Sequence, residues 1–357
     1  MKITQPDNLS RVTTTGTTMT AAVHDHYSPA PEGLFRLARI DRPTIGDDEV
    51  LVRVHAASVD RGTWHIMAGL PYPIRLAGFG FRRPKYANPG RSLAGTVEVV
   101  GTGVTGFSPG DAVFGMATST FAEYAAARTD KLAAKPVNLS FDQAAAIPVS
   151  GSTALQAVRD HGRVQAGENV LIIGASGGVG TFAVQIAKAF GAEVTGVCST
   201  GKVDMVRALG ADHVVDYMHE DFVDGDPRYD VILDIGGNAP LSRLRRALAP
   251  EGRLVIVGGE TDGRLLGGSD RQIRAQLLSL VVRHQLGTFV AKENAGDLIA
   301  LTELVEAGKV APVIDRTYPL TDVAVAIRHL LDGQARGKVV VSVSPGEVPT
   351  PTSRRPA

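Results

Sequence analysis

The sequence predicts an α/β protein in which an all-β part precedes a doubly wound parallel sheet. Two observations support this fold class. Between Thr20 and Ala144 short apolar strands alternate with glycine-rich turns, and from Asn169 onward strands and helices alternate. A chain of 357 residues is also long enough for two independently stable cores.

The N-terminal part has the alternation that is typical of half-buried strands. In EVLVRVHAASV, valines occupy positions 50, 52 and 54, with Arg53 and His55 between or after them. The stretches GTVEVVGTGV and DAVFGM predict further strands, and Pro109-Gly110 marks the turn that joins them. These short strands are consistent with a small β-barrel.

The second part begins with a helical stretch, FDQAAAIPVSGSTALQAVRDHG, which we expect to end near Gly162. The continuous apolar run VLIIG then predicts a central parallel strand buried on both faces. An amphipathic helix follows and stops at Gly191. Further strands are predicted at EVTGVCS, HVVDY, YDVILDIGG and GRLVIVGG, with helices at KVDMVRALG and LSRLRRAL. After Val290 the sequence predicts a helix, then the segment VIDRTYPL, a second helix and the strand GKVVVSV. These last elements are compatible with a return to the first part.

The composition excludes several classes of function. Lys plus Arg and Asp plus Glu both number 37, so no charge excess points to nucleic acid or to an anionic membrane as a partner. No apolar run approaches the roughly 18 residues that a membrane span needs. Cys198 is the single cysteine, which excludes an intramolecular disulfide and fits a reducing cytoplasm. The polar N-terminus does not read as a secretory signal, and we expect residues 1–18 and 345–357 to be disordered.

The glycine-rich turn in VLIIGASGGVG predicts an anion site. A strand, a glycine turn and a helix in succession aim the free amides of the first helical turn, and the helix dipole, at the turn. The alternative is a tight strand-to-helix turn without a ligand, but the complete βαβ context favours a nucleotide. The candidate residues are Gly174, Ser176, Gly177, Gly178, Val179 and Gly180.

The end of the second parallel strand favours NADPH over NADH. An NAD site usually has an acidic residue about 20 positions after the glycines, bonded to the ribose 2′-hydroxyl. Here the strand ends at Cys198 and Ser199, and Lys202 follows closely. A hydroxyl and an ammonium would attract a 2′-phosphate, and Tyr217 could stack on or bond to the same group. Lys202 could instead be an ordinary solvated lysine at the start of a helix. Cys198 is best explained as a small side chain that packs in the core.

Four stretches together resemble the medium-chain dehydrogenase/reductase superfamily, and more closely its zinc-independent quinone oxidoreductase-like branch. They are GRSLAGTVEVVGTGVTGFSPGDAVFG, GASGGVGTFAVQIAKAFGAEVTGVCST, LGADHVVDY and APVIDRTYPL with GKVVVSV. The resemblance implies a GroES-like, β-barrel-type catalytic domain at 19–144 and 291–344, and an inserted, doubly wound parallel Rossmann domain at 145–290 that binds NADPH. It also implies a nicotinamide in the cleft between the domains, often in a homodimer. Our expected cofactor-binding set further includes Asp60, Thr153, Ile235, Gly258 and Lys338.

The resemblance also indicates what this chain lacks. Zinc-dependent relatives carry a catalytic cysteine after the strand that corresponds to VRVHAA, where this chain has Ser58, and a histidine in a Gly-His-Glu motif, which here reads Gly90-Arg91-Ser92. We therefore expect no metal site. The chain also departs from its own branch, which usually has an acidic residue at Ser92, an asparagine at Asp60 and an aspartate at Thr63.

Without a Lewis acid, hydride passes most easily to an acceptor that is already electrophilic, such as a quinone or the β-carbon of an enone. We therefore expect NADPH-dependent reduction of a small-molecule substrate of this kind. The candidate catalytic residues are Asp60, His65 and Tyr72, of which the first two lie in an expected loop beside the nicotinamide. The apolar and basic stretch around Tyr72 could be a pocket wall, a lid or a plain loop. The alternatives are an enoyl reductase or alcohol dehydrogenase-type tailoring enzyme of a secondary metabolite, and a catalytically silent cofactor-binding homologue.

Overall fold

The computed structural model describes residues 17–224, 228–236, 239–258, 267 and 269–343. The predicted disordered ends therefore lie outside the described residues, except for Thr17 and Thr18. Thr18 already belongs to the first strand, so the predicted extension ends earlier than residue 18. None of the described helices is long and apolar enough to cross a membrane.

The N-terminal part is built from antiparallel strands, as its alternating pattern predicts. Two of them, β1 and β2, form a separate ribbon, and the others belong to a seven-stranded sheet in which β6 pairs with β3 beside the main path. These strands are β1 (Thr18–Val23), β2 (Arg36–Asp41), β3 (Glu49–Val59), β4 (Ser92–Val100), β5 (Ala112–Met116), β6 (Tyr124–Arg128) and β7 (Leu132–Ala134).

The second part contains a six-stranded, wholly parallel sheet with the order β10-β9-β8-β11-β12-β13. Its strands are β8 (Asn169–Ile173), β9 (Glu193–Cys198), β10 (His213–Asp216), β11 (Tyr229–Asp234), β12 (Leu248–Ile256) and β13 (Gln285–Thr288). This order is the doubly wound arrangement that strand–helix alternation predicts. The sequence did not predict β13, because QLGT is too short and too weakly apolar to stand out.

The last two strands, β14 (Ile314–Pro319) and β15 (Lys338–Ser342), return to the first sheet. β15 pairs antiparallel with β3, with Val340 opposite Ser58, and β14 pairs parallel with β15. The chain thus leaves the seven-stranded sheet, builds the parallel sheet and comes back. The domain limits of 19–144, 145–290 and 291–344 stay predictions.

Helices cover the parallel sheet and join the two parts. They are α1 (Arg61–Ala68), α2 (Phe141–Ala145), α3 (Pro148–Gln156), α4 (Gly178–Ala189), α5 (Val203–Ala208), α6 (Leu241–Ala247), α7 (Ser269–Ser279), α8 (Ala295–Glu306) and α9 (Val323–Leu331). The prediction of a single helix between Phe141 and Gly162 is wrong. Ile147 and Pro148 divide this stretch into α2 and α3, because proline favours the first position of a new helix. A wider helical turn, Ala157–His161, continues α3 to the expected end.

The central strand β8 is buried on both faces, as its continuous apolar run predicts. Val170 and Ile172 face a large core that also contains Phe182 of α4, whereas Leu171 faces a second core on the opposite side of the sheet. The first of these cores includes Ala94 and other residues of the seven-stranded sheet, so the two parts share one apolar interior. That shared core packs the two sheets against each other.

Candidate active site

The glycine turn after β8 is a close-packed cradle. Gly174 has a positive φ of 86°, and its carbonyl accepts a hydrogen bond from Gly177 N at 3.1 Å. A Cβ on Gly180 would lie 2.1 Å from that same carbonyl oxygen, so the start of α4 can approach the strand only with glycine there. The first helical amides, at Gly178, Val179 and beyond, follow the turn directly. This geometry fits a pyrophosphate, because the backbone leaves room for it and offers it donors.

The other predicted cofactor-binding residues of this part lie along the same edge of the parallel sheet. Ile235 follows β11, and its N–H donates to Ile173 O at 3.0 Å. Gly258 follows β12, and its N–H donates to Asp234 O at 3.2 Å. Tyr217 follows β10, and its N–H donates to Cys198 O at 3.1 Å. The carboxyl edge of such a sheet is where doubly wound folds bind their ligands.

The corner beyond β9 brings together the residues predicted to hold a 2′-phosphate. Ser199 precedes a single helical turn, Thr200–Lys202, and Tyr217 stands beside it with 59% of its surface exposed. The Lys202 ammonium donates to Gly333 O at 3.0 Å and to Ala335 O at 2.9 Å. Lys202 is therefore held by the loop between α9 and β15, which the sequence alone did not connect with this corner.

The same corner contains one carboxylate that the sequence did not single out. Asp216 ends β10, and its Oδ1 accepts a hydrogen bond from Met218 N at 3.1 Å. A hydrogen bond from the Thr200 side chain is the main reason that the pKa of Asp216 is lowered. The Met218 N–H and the Thr200 side chain therefore both donate hydrogen bonds to the Asp216 carboxylate.

Lys338 lies beneath the cradle and is 2% exposed. Its Nζ donates to Val59 O at 3.1 Å and to Ser150 Oγ at 3.0 Å, and its side chain runs past Gly178 at the start of α4. Burial lowers the pKa of Lys338, and the negative charge of Asp60 opposes that shift. Ser150 was not predicted as a site residue, since nothing in PVSGSTALQ marks one hydroxyl over another.

Asp60 and His65 do not lie in a loop as expected, because the sequence DRGT forms a capping box. The Asp60 carboxylate accepts from Thr63 N at 3.0 Å, and the Thr63 hydroxyl accepts from Asp60 N at 3.2 Å, which starts α1 at Arg61. Thr63 thus has a local structural reason to replace the aspartate of the family pattern. The second carboxylate oxygen of Asp60 is buried and has no hydrogen-bond partner among the described residues.

His65 is half-buried within α1, and its tautomer follows from its contacts. Nδ1 lies 2.7 Å from Leu70 O, and since a carbonyl only accepts, Nδ1 carries the hydrogen. In the neutral ring, Nε2 is then the nitrogen without a hydrogen. Its neighbour Trp64 donates from Nε1 to Pro29 O at 3.0 Å and packs against the barrel core.

Tyr72 follows α1 and is 39% exposed. The Arg75 guanidinium lies 4.9 Å from its ring centroid and 4.4 Å from that of Tyr27. The stretch continues through a short helical turn, Arg75–Phe79, and exposes the side chains of Leu76 and Phe81. An exposed apolar and basic segment of this kind is compatible with the predicted pocket wall or lid.

Ser58 and Ser92 face each other across β3 and β4, and both are fully buried. Their hydroxyls have no hydrogen-bond partner among the described residues. Arg91 pairs instead with Glu293 at 2.5 Å, and Glu293 also accepts from Lys131 at 2.7 Å. In the described part of the chain, no group of three or more His, Cys, Asp or Glu side chains is arranged to hold a metal ion.

Two remaining predictions concern single side chains. The Thr153 hydroxyl donates to Val149 O at 2.7 Å within α3, so its assignment to the cofactor stays a prediction. Cys198 is 2% exposed, and burial raises the pKa of its thiol to about 11. A buried, protonated thiol is unreactive, which agrees with a packing role.

Comparisons with known proteins identify the family. Residues 46–140 match the family model described as alcohol dehydrogenase GroES-like domain, and residues 209–341 match the one described as zinc-binding dehydrogenase. The chain is 34% identical to the human NAD(P)H oxidoreductase RTN4IP1, mitochondrial, over 96% of this chain and 94% of that one. The chain belongs to the medium-chain dehydrogenase/reductase superfamily. Within that superfamily it falls in the quinone oxidoreductase-like branch.

Two further relatives agree with this assignment. The human quinone oxidoreductase is 31% identical, with 92% of this chain and 99% of that one covered. The solved structure of the quinone oxidoreductase from Coxiella burnetii matches with a TM-score of 0.77 at 28% identity, and it covers 92% of this chain and 100% of that one. As a member of this branch the protein is an oxidoreductase enzyme that uses a nicotinamide cofactor.

The cradle gives a direct prediction. Gly180→Ala should raise the Kd for the nicotinamide cofactor at least about tenfold, because the new methyl group collides with Gly174 O and forces the turn away from α4. Gly106→Ala is the control, since no atom lies within 4 Å of its added Cβ. Fluorescence titration of both variants decides the point; equal affinity in Gly180→Ala and wild type would contradict the cradle.

Proposed function

We propose that this enzyme uses NADPH to reduce a quinone or an activated C=C or C=O bond without a catalytic zinc ion. The observation that carries the proposal is the corner at the end of β9. Ser199, Lys202 and Tyr217 converge there, and the strand itself ends without the acidic residue of an NAD site. Relatives named quinone oxidoreductase, and a tomato (Solanum lycopersicum) relative named 2-methylene-furan-3-one reductase that is 32% identical, support the class of acceptor.

We propose the following roles for the residues of the chain in cofactor binding and hydride transfer. When bound, the reduced nicotinamide supplies the hydride. The amides that begin α4 hold the pyrophosphate, and Ser199, Lys202 and Tyr217 hold the 2′-phosphate. The second carboxylate oxygen of Asp60, which has no partner among the described residues, would accept a hydrogen bond from the nicotinamide ribose or carboxamide, and Lys338 would balance its charge. Quinones and enones are already electrophilic, so hydrogen-bond donors are enough to stabilise the developing oxyanion.

The donor set at the former zinc-ligand positions supports a reaction without a Lewis acid. Ser58 and Ser92 offer neutral hydroxyls, which are poor ligands for zinc, and Arg91 is a cation held by Glu293.

The single cysteine remains our reason to propose a reducing compartment, the cytoplasm, for this enzyme.

We also propose that the enzyme is a homodimer joined through β13. Among the described residues this strand pairs on one side only, with β12. Large apolar side chains are exposed in the segments just before and after it: Leu277, Leu280, Val281 and Val290 are between 62% and 91% exposed. An open strand with an apolar rim favours pairing with a second copy about a twofold axis.

The first test measures cofactor and substrate preference. Purified enzyme should bind NADPH at least about tenfold more tightly than NADH, because only NADPH carries the charge that Lys202 meets. It should oxidise NADPH with 1,4-quinones or enones, and treatment with a chelator should leave this rate unchanged. Tight NADPH binding with no turnover on quinones, enones or aldehydes would favour a catalytically silent homologue, and turnover only on enoyl thioesters would favour an enoyl reductase.

The second test concerns the proton. If His65 is the donor, His65→Gln should lower kcat by about ten- to a hundredfold and leave the Kd for NADPH unchanged, because glutamine cannot release a proton. His26→Gln, an exposed histidine on the barrel surface, is the control. Undiminished turnover in His65→Gln would leave Tyr72 as the candidate to be changed next.

The third test concerns assembly. Light scattering should give twice the 37.5 kDa mass of the chain for the wild type. Val281→Lys places a charge beside β13 and should yield monomers, whereas Val137→Lys alters an equally exposed valine elsewhere. A monomeric wild type, or a Val281→Lys variant that remains dimeric, contradicts assembly through this edge.

A further inference from the structure

The loop that carries Arg91 is held in place by buried hydrogen bonds. The Asn88 amide, which is 1% exposed, donates to Phe121 O at 3.2 Å, and its oxygen accepts from Gly90 N at 3.2 Å. Arg91 itself is fixed by its carbonyl, which accepts from Ala117 N at 2.9 Å. The backbone from which the Arg91 side chain extends is therefore set before any ligand binds. A donor on such a backbone is preorganised, which is what a developing charge requires.

Arg91 lines a pocket whose other walls are largely apolar and aromatic. These walls include Ile66, Phe79, Tyr86 and Pro89. Among the described residues, Arg91 is the one charged side chain that lines the pocket. The pocket also reaches α1 at Ile66, directly after His65, the candidate proton donor. A flat conjugated molecule with a carbonyl group suits these surroundings, because its carbon skeleton meets apolar walls and its oxygen meets a cation.

The charges around Arg91 leave positive charge unbalanced. The Arg91 guanidinium donates to one oxygen of Glu293 at 2.5 Å, and the Lys131 ammonium donates to the other oxygen at 2.7 Å. Burial acts to raise the pKa of Glu293, but these two cations outweigh it and the pKa is lowered overall. One carboxylate is thus shared by two cations, and residues 61–97 contain no Asp or Glu. A further negative charge beside Arg91 is therefore favourable.

The Arg91 guanidinium also keeps hydrogen-bond donors in reserve. In the part of the chain that the structure describes, Glu293 is its one hydrogen-bond partner. A guanidinium carries five N–H groups and no acceptor, and it stays charged at any pH at which the protein is folded. Glu293 therefore orients Arg91 without using all of its donors.

This ion pair connects the two sheets near the predicted cofactor site. Arg91 directly precedes β4, whereas Glu293 follows β13 of the parallel sheet. β13 pairs with β12, and the Thr288 hydroxyl donates to Ile256 O at 2.8 Å where both strands end. Gly258, one of the predicted cofactor-binding residues, follows the same end of β12. Doubly wound folds bind ligands at this edge, so Arg91 lies on the side of the molecule where cofactor and acceptor are expected to meet.

We propose that Arg91 is a catalytic residue that donates a hydrogen bond to the carbonyl oxygen of the acceptor and stabilises the negative charge that develops there. This inference rests on the proposed function. In an enone, the hydride of the reduced nicotinamide forms a C–H bond at the β-carbon, and the C=C electron pair shifts to give an enolate whose oxygen bears the charge. The enolate then takes a proton from water at its α-carbon. The acceptor is thereby reduced, and the nicotinamide is oxidised.

The kinetic test uses the full-length enzyme with its preferred nicotinamide cofactor and a 1,4-quinone or an enone. Arg91→Met removes the charge and the donors, and it should lower kcat about a hundredfold while KM changes less than about threefold, because the lost contact forms in the transition state. Arg91→Lys restores the charge without the planar donor pair and should recover about tenfold of this loss. Lys131→Met removes the other ion pair of Glu293 and is the control, with kcat within about twofold of the wild type.

Binding of 4-nitrophenol gives a readout that does not depend on turnover. Its phenolate carries the kind of charge that the reduced acceptor would carry, and the absorbance of the phenolate reports which form is bound. The wild type should bind the phenolate about tenfold more tightly than the neutral phenol, because a hydrogen bond to a charged group is the stronger one. Arg91→Met should lose this preference, and Lys131→Met should keep it.

The possible outcomes separate this inference from the proposed function. An unchanged Kd for the cofactor shows that Arg91→Met is folded; if it is not, Arg91→Gln takes its place, with the same losses expected. If the wild type reduces no quinone and no enone, the proposed function fails and the role of Arg91 fails with it. If the wild type is active but the Arg91 variant keeps its kcat or its phenolate preference, the proposed function stands and the role of Arg91 is overturned. Equal losses in Lys131→Met would also overturn it, since they indicate a purely structural ion pair.

Discussion

The pairing of β15 with β3 is the contact on which the site depends. It places the start of β15 at the junction of the two sheets, where Gly337 bonds to the glycine turn and Lys338 passes under α4. Gly337 has a φ of 96°, and a Cβ there would lie 2.5 Å from Val313 O, so only glycine allows this close crossing. Without the return of the chain, the glycine turn would lose its contact with Gly337, and α4 would lose its contact with Lys338.

Burial of opposite charges adds a second constraint at the same junction. Lys338 is almost completely removed from water, and its Nζ satisfies a carbonyl of β3 and a hydroxyl of α3. A buried ammonium is costly unless its hydrogen bonds and charge are matched. The Asp60 carboxylate provides the opposite charge, and the capping box that starts α1 holds Asp60 in place. Substitution of aspartate for the asparagine of the family is therefore compatible with the buried lysine beside it.

Family membership and local geometry describe different levels of the same enzyme. The chain matches a relative named as an NAD(P)H oxidoreductase over nearly its whole length, so both parts of the fold belong to the family. The residues that would choose a substrate lie elsewhere, in α1 and in the apolar and basic stretch after it. There the chain differs from the family pattern at Asp60, which carries the charge opposite Lys338, and at Thr63, which closes the capping box. The fold is thus common to the family, whereas the start of α1 departs from the family pattern.

The sequence by itself determined the fold class, the parallel strands β8 to β12 and the glycine turn, because these depend on local periodicity and on backbone freedom at single glycines. It could not separate α2 from α3 in detail, find the short edge strand β13 or recognise that DRGT begins a helix, since short elements are decided by their neighbours. Ser150 was missed for a related reason. It is an ordinary polar residue in its own segment, and only the return of β15 onto β3 brings it beside Lys338. Sequence patterns report contacts between near neighbours, whereas this site joins residues more than a hundred positions apart, which only the packing of the two sheets could decide.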